Sequence, residues 1–342
     1  MTDHTLLLVN LGSPDSPNPR AVRRYLGQFL MDKRVIDLPW PLRRALVSAI
    51  LLTRPKQSAK AYAAIWWPDG SPLLVISRAL QQALRAHWTA GSVALAMRYG
   101  SPSIGQVLLA LNQRGVKQIT LAPLYPQFAE STVGSTLAEV QRVISAHGLR
   151  FNLRLLKPFY QEPAYIEALA ASTRPWLEQE FDHLLMSFHG LPERHIRKLT
   201  DPIDTQHDLQ AQSSQGLRQE LLDVCYRSQC LRTAELLVER LALPRSRWSV
   251  SFQSRLGRAQ WIGPYSEIKL SELAQQGVKK LLVISPAFVA DCVETLEELA
   301  IRGCEQFIAA GGQSLQLIPC LNSHPNWVKT LAVLAQKASA DA

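Results

Sequence analysis

The chain has 342 residues, enough for about two domains of ordinary size. Apolar residues make up 47% of it and charged residues 19%, a balance that supports a buried core and excludes a disordered chain. The formal net charge of +9 favours anionic ligands, but no arginine-rich tract or nucleic-acid motif accompanies it, so a small anionic substrate is expected rather than nucleic acid.

The opening MTDHTLLLVNLGSP lacks the basic start and long apolar run of a secretory signal. No apolar segment reaches the roughly 20 residues of a membrane span. The longest candidate, 45–52, is bracketed by Arg43, Arg44 and Arg54 and is expected to be an amphipathic helix. The five cysteines (Cys225, Cys230, Cys292, Cys304, Cys320) are odd in number and without framework spacing, which suits reduced thiols and a cytoplasmic location.

In chain order, segments 6–10, 93–98, 119–123, 184–188, 249–253 and 281–285 are β-rich and nearly continuously apolar, as strands buried on both faces of a parallel sheet must be. Helical patterns such as 104–114 and 296–309 lie between them, so the expected class is α/β. The halves echo one another in order. LLLVNLGSP resembles LLMSFHGLP, AMRYG resembles FQSRLG, and GVKQITLAPLYPQFAEST resembles GVKKLLVISPAFVADCVET with one inserted residue. Three ordered echoes indicate a duplicated α/β unit, joined near 157–163. The polar stretch 200–215 reads as a surface loop of the second half.

In open α/β sheets ligands bind beyond the carboxyl ends of the strands, and here those ends carry unusual residues. His189 follows the strand reading LLMSF and precedes a glycine; it is either a functional imidazole or a loop histidine bonded to a backbone carbonyl. Asp291, Glu294 and Glu298 are spaced i, i+3, i+7 and would share one face of a helix begun near Asp291, as a path for protons or a cation or as a solvated acidic face. Arg98 and Arg255 end corresponding strands and could each grip a carboxylate or form a structural ion pair. Trp261 and the Trp66–Trp67 pair could stack on a flat ligand or simply pack. No G-x-G-x-x-G, P-loop, G-x-S-x-G, H-E-x-x-H or C-x-x-C occurs, which removes the usual support for dinucleotide binding, NTP hydrolysis and serine hydrolysis.

Seven segments then stand in one order: LLLVNLGSPDSP, FLMDKRVIDLP, MRYGSPSI, LYPQFAESTVGST, SFHGLPERH, FQSRLGRAQWIGPY and AFVADCVETLEEL. Through them the chain resembles ferrochelatase along nearly its whole length. The resemblance implies two Rossmann-like halves, each a parallel sheet flanked by helices, with the active-site cleft between them. The halves are expected at 1–157, including a lip segment over 40–67, and at 158–322, with a last helix over 323–342 packing back on the first. The activity implied is insertion of Fe²⁺ into protoporphyrin IX, giving protohaem and two protons, the last step of haem biosynthesis. Coproporphyrin III as the acceptor, or a non-catalytic tetrapyrrole- or metal-binding protein, is the alternative.

By the same resemblance His189 and Glu294 are the catalytic pair and the metal contacts. Leu11, Arg98, Tyr125, Ser131, Trp261 and Phe288 line the porphyrin pocket or hold its propionates, and Asp291 and Glu298 lie on the proton or metal path. Cys292 stands where some members have a second histidine, so the mechanism here must not require one. No tightly bound cofactor is expected, iron being a substrate. The cysteine spacing does not suit a [2Fe–2S] cluster, and no C-terminal extension that could carry one follows the core. Partners beyond the substrates are at most a membrane surface, touched through the lip, and neighbouring enzymes of haem synthesis.

Overall fold

A computed structural model describes residues 3–340 apart from 256 and 258. Two positions of the FQSRLGRAQWIGPY motif, the first two residues of the expected first domain and the last two of the expected final helix therefore lie outside the described residues. The chain divides into two compact units. One takes in the residues through Tyr125, Ala129–Lys157 and the chain from Val328 onward; the other is Pro126–Phe128 with Pro158–Trp327.

The first unit is built on four parallel strands, β1 (His4–Asn10), β2 (Ser92–Met97), β3 (Gln118–Pro123) and β4 (Asn152–Leu155), in the spatial order β2-β1-β3-β4. Its helices are α1 (Pro19–Leu30), α2 (Trp40–Ile65), α3 (Pro72–Leu84), α4 (Ile104–Gln113) and α5 (Ser135–His147). Local chemistry sets where several begin. Asn18 accepts from the amide of Ala21 ahead of α1, Ser71 from Leu74 ahead of α3, and Ser103 forms a capping box with Gln106 ahead of α4. Each such cap is worth about 1 kcal/mol. Leu7 and Val9 of β1, Ile119 and Leu121 of β3, Leu108 and Leu111 of α4 and Val140 of α5 form one fully buried cluster.

The second unit repeats the plan. Strands β5 (His183–His189), β6 (Trp248–Gln253), β7 (Lys280–Ile284) and β8 (Ser314–Leu317) lie parallel in the order β6-β5-β7-β8. The helices are α6 (Pro163–Leu177), α7 (Glu193–Thr200), α8 (Gln219–Val224), α9 (Tyr226–Arg240), α10 (Ser266–Gln275), α11 (Val293–Leu296) and α12 (Cys304–Ala309); α13 (Pro325–Ala340) closes the chain. Leu185, Leu273, Val283, Leu299 and Phe307 are among the residues of its core. The identical strand order, reached by the same crossovers, is what a duplicated unit predicts. Both sheets also contain a fourth, edge strand that the apolar-run criterion misses, because β4 and β8 carry alternating or partly exposed residues.

Two helical expectations need correction. The amphipathic helix expected over 45–52 is part of the single 26-residue helix α2. Arg43, taken as a polar flank, is buried there and donates to the carbonyls of Ile36 and Leu38, while Trp40, Leu42, Leu46 and Leu52 are exposed. The helical run expected over 296–309 is interrupted: α11 ends at Leu296, and a π-helix over Glu298–Gly303 precedes α12.

The first strand of each sheet begins with a buried histidine facing a hydroxyl. His4 Nε2 lies 2.9 Å from Thr120 Oγ1, and His183 Nε2 lies 2.8 Å from Ser249 Oγ. Burial, reinforced by Lys269 and Arg245, holds the His183 imidazole down to about 4 from 6.5. The unfolded chain therefore binds an extra proton between those values, and stability rises with pH across that window. Thermal melts should show the midpoint falling as pH drops from about 6.5 toward 4, and His183→Asn should flatten that slope. An unchanged slope in the variant would remove His183 as its source.

Candidate active site

The carboxyl ends of β5 and β6 assemble the centre of the site in the second unit. The register sets His189 opposite Gln253, and the amide of Gly190 donates to the Gln253 carbonyl at 2.8 Å. Gly190 cannot carry a side chain: a Cβ there would stand 2.8 Å from the Gln253 carbonyl oxygen and 3.3 Å from the Trp261 ring. The Trp261 segment runs antiparallel to the turn after β5, with the Ile262 amide donating to the Leu191 carbonyl. This close crossing holds Trp261 beside the His189 turn.

His189 is half-buried. Its Nδ1 lies 2.6 Å from the Gly190 carbonyl, its ring meets Phe288 edge-on at 6.2 Å, and its own carbonyl accepts from the Tyr226 hydroxyl. A carbonyl can only accept, so Nδ1 bears the proton and the Nε2 lone pair of the neutral ring is left available. The bond to a backbone carbonyl considered for His189 is thus present, and it engages one of the two ring nitrogens.

Glu294 and Glu298 are delivered by α11 and the π-helix after it. Glu298 is clasped by Ser254, whose amide donates to Oε1 at 2.8 Å and whose hydroxyl donates to Oε2 at 2.6 Å. Ser254 adopts φ +66°, unusual for a residue with a side chain, and so turns both donors to one carboxylate. Burial raises the Glu298 carboxyl above the ordinary range, opposed by Ser254 and by the His189 charge and assisted by Glu294.

Asp291 does not join a row of three. It is buried, its Oδ1 accepts from Thr295 Oγ1 and the Cys320 amide, and its Oδ2 accepts from Asn322 Nδ2 at 2.7 Å. The i, i+3, i+7 argument assumed unbroken α pitch from Asp291; the helix begins at Val293 and changes pitch at Glu298. Asp291 therefore anchors the loop before α11 to Asn322. Arg255 pairs with Glu267 at 3.0 Å and lies over the Tyr265 ring, the structural ion pair considered for it. Among the described residues no group of three or more His, Cys, Asp or Glu side chains is arranged to hold a metal ion.

The other expected residues lie in the first unit, at the carboxyl ends of β1 to β3. Leu11 follows β1, and its carbonyl accepts from the Tyr99 amide. Tyr125 follows β3 and is buried, and Ser131 sits in a second π-helix, Glu130–Gly134. Arg98 is occupied. Its Nη2 donates to Asp32 Oδ2 at 2.6 Å and its Nε to Ser135 Oγ at 2.7 Å, and both ion-pair partners are largely buried. Asp32 also accepts from the Tyr99 hydroxyl. Burial pushes its carboxyl up, but Ser135, the Arg34 amide and Arg98 together hold it below the ordinary value. Removing one member of such a pair typically costs about 3–5 kcal/mol. Asp32 stands in FLMDKR, a motif noticed only as a signature; no spacing rule couples it to Arg98, 66 positions away.

Comparisons with known proteins show the fold and the family. Solved chelatases share the fold. SirB from Bacillus subtilis with Fe3+ superposes with a TM-score of 0.55 at 14% identity, covering 99% of this chain and 96% of that one. The sirohydrochlorin chelatase SirB from Bacillus subtilis subspecies spizizenii, in complex with cobalt, gives 0.54 at 12%, with the same coverage. The architecture is thus that of the chelatases. The ferrochelatase family model matches residues 3–339. The ferrochelatase of Pseudomonas aeruginosa strain LESB58 is 62% identical over 335 residues, 98% of each chain, and that of Pseudomonas putida is 60% identical over 339 residues, 99% of this chain and 100% of that one. The chain belongs to the ferrochelatase family. It is an enzyme, a lyase of haem biosynthesis whose substrates are ferrous iron and a porphyrin, joined as protohaem.

If Glu298 exchanges protons with the site, Glu298→Gln should displace the pH–rate profile of metal insertion and lower turnover, because a neutral amide cannot carry a proton. An unchanged profile and unchanged metal dependence would exclude Glu298 from the path.

Proposed function

We propose that His189 and Glu294 carry out the insertion of iron into protoporphyrin IX. A free-base porphyrin gives up two N–H protons as the metal enters, and a neutral imidazole is suited to take protons near physiological pH. The observation that carries this reading is the Nδ1 bond of His189 to the Gly190 carbonyl, which leaves Nε2 as the basic atom of a ring that meets Phe288 edge-on. Glu294 and Glu298 offer carboxylates for the incoming cation or the departing protons. One or two nitrogen or oxygen donors hold iron weakly, as a site must when the product keeps the metal. Trp261 and Phe288 supply flat apolar surface for the ring; for Leu11, Tyr125 and Ser131 of the first unit the porphyrin-contact role rests on the family resemblance, as it does for Arg98, whose guanidinium is held by Asp32. Aromatic walls that bend the ring would aim its nitrogen lone pairs at the metal. No resident cofactor and no [2Fe–2S] cluster is required. Zinc insertion into protoporphyrin IX, followed by fluorescence, should be abolished or reduced by about a hundredfold or more in His189→Ala. Substantial residual turnover would overturn the proton-acceptor role.

We also infer that the protein works in the cytoplasm and rests against a membrane surface through α2. Trp40 (62% exposed), Leu42 (60%) and Leu52 (70%) project from that helix with exposed Arg44, Arg54, Lys56 and Lys60. Apolar and cationic side chains on one helix suit an anionic lipid interface. No helix among the described residues is long and apolar enough to cross a membrane. Co-sedimentation with phosphatidylglycerol vesicles should fall with added salt and with Trp40→Ser combined with Leu52→Ser. Equal binding by parent and variant would remove α2 from the interface.

A further inference from the structure

The carbonyl of Glu294 has a partner from outside its own helix. In α11 the amides of Leu296 and Glu297 donate back to Cys292 and Val293; the pitch then widens, and the Arg302 amide donates to Glu297. The Glu294 carbonyl, at this change of pitch, accepts from the side-chain amide of Gln253 at 2.7 Å.

Gln253 is 2% exposed, and its other bonds run into the sheet. Its Oε1 accepts from Ser187 Oγ at 2.6 Å; Ser187 also meets Ser266 Oγ at 2.8 Å, which meets Ser251 Oγ at 2.8 Å. Its backbone carbonyl accepts from Gly190, the residue after His189. One buried side chain thus joins the strand that ends in His189 to the turn that carries Glu294. An amide whose donor and acceptor ends are both engaged has little rotational freedom.

We propose that Gln253 is a positioning residue for metal insertion: it fixes where Glu294 stands relative to His189. This rests on the reading of those two residues as the reacting pair. Gln253 reaches the chemistry only through the backbone of Glu294 and Gly190. Its loss leaves the fold's main bonds intact, since Ser187 keeps Ser266 as a partner.

Gln253→Met, close in volume but without the amide, should lower kcat for zinc insertion by about tenfold or more while the porphyrin KM stays within about twofold. Gln253→Glu supplies a second readout. Protonated, the new carboxyl can still donate to the Glu294 carbonyl; ionised, it cannot, so its activity should approach the parent at low pH and fall as pH rises. Retained kcat in Gln253→Met, or matching pH profiles for Gln253→Glu and the parent, would overturn the proposal. If Gln253→Met fails to fold, Ser187→Ala decides: it frees only the acceptor end and should lower kcat by a smaller factor, and an unchanged kcat would overturn the proposal. His189→Ala run alongside separates the two failures. An inactive His189→Ala beside a fully active Gln253→Met removes Gln253 alone; activity in both removes the reacting pair itself.

Discussion

The second unit depends on the register between β5 and β6. Six consecutive pairs, from Leu184 opposite Trp248 to His189 opposite Gln253, bring the two strands to the same height before either ends. Side chains alternate along a strand, so a slip of one residue would exchange the faces of all six. Both faces of β5 are buried, so a slip would force Leu184, Leu185, Met186 and Phe188 into packing sites shaped for their neighbours. The placement of an imidazole beside a buried amide, and of Ser254 beside Glu298, follows from a hydrophobic decision made along the strands.

A second feature is the pitch of the chain after β7. A regular α-helix from Val293 would hold Glu294 and Glu298 one turn apart on one stripe. The π-helix over Glu298–Gly303 takes an extra residue per turn and leaves backbone groups for outside donors. Gln253, at the end of β6, donates to the backbone carbonyl of Glu294, and Ser254, the next residue, donates to the Glu298 side chain. Irregular backbone is stable here because its polar groups find partners on a rigid sheet edge.

Much of the fold was legible in the sequence because buried parallel strands must be nearly all apolar, and six runs met that demand. The edge strands β4 and β8 did not, since Asn152, Arg154 and Gln316 face less crowded surroundings. His189 and the Glu294 region were legible as strand-end chemistry and as motifs. What stayed hidden was pairing across distance: Asp32 with Arg98, Ser254 with Glu298, Asp291 with Asn322. Periodicity along one segment carries no information about such partners. Nor does composition announce a π turn, and the assumption of uniform pitch put Asp291 on a row it does not join.

Strand β5 opens with one histidine and closes with another. His183 sits inside the wall of the sheet against Ser249, while His189 stands at the far rim, roughly 20 Å along at the usual rise per residue. Two identical rings on one ribbon thus meet different surroundings, the first a hydroxyl inside the scaffold and the second a backbone carbonyl and an aromatic edge. Acid sensitivity of the architecture therefore has an origin, at His183, that lies at the opposite end of the strand from His189.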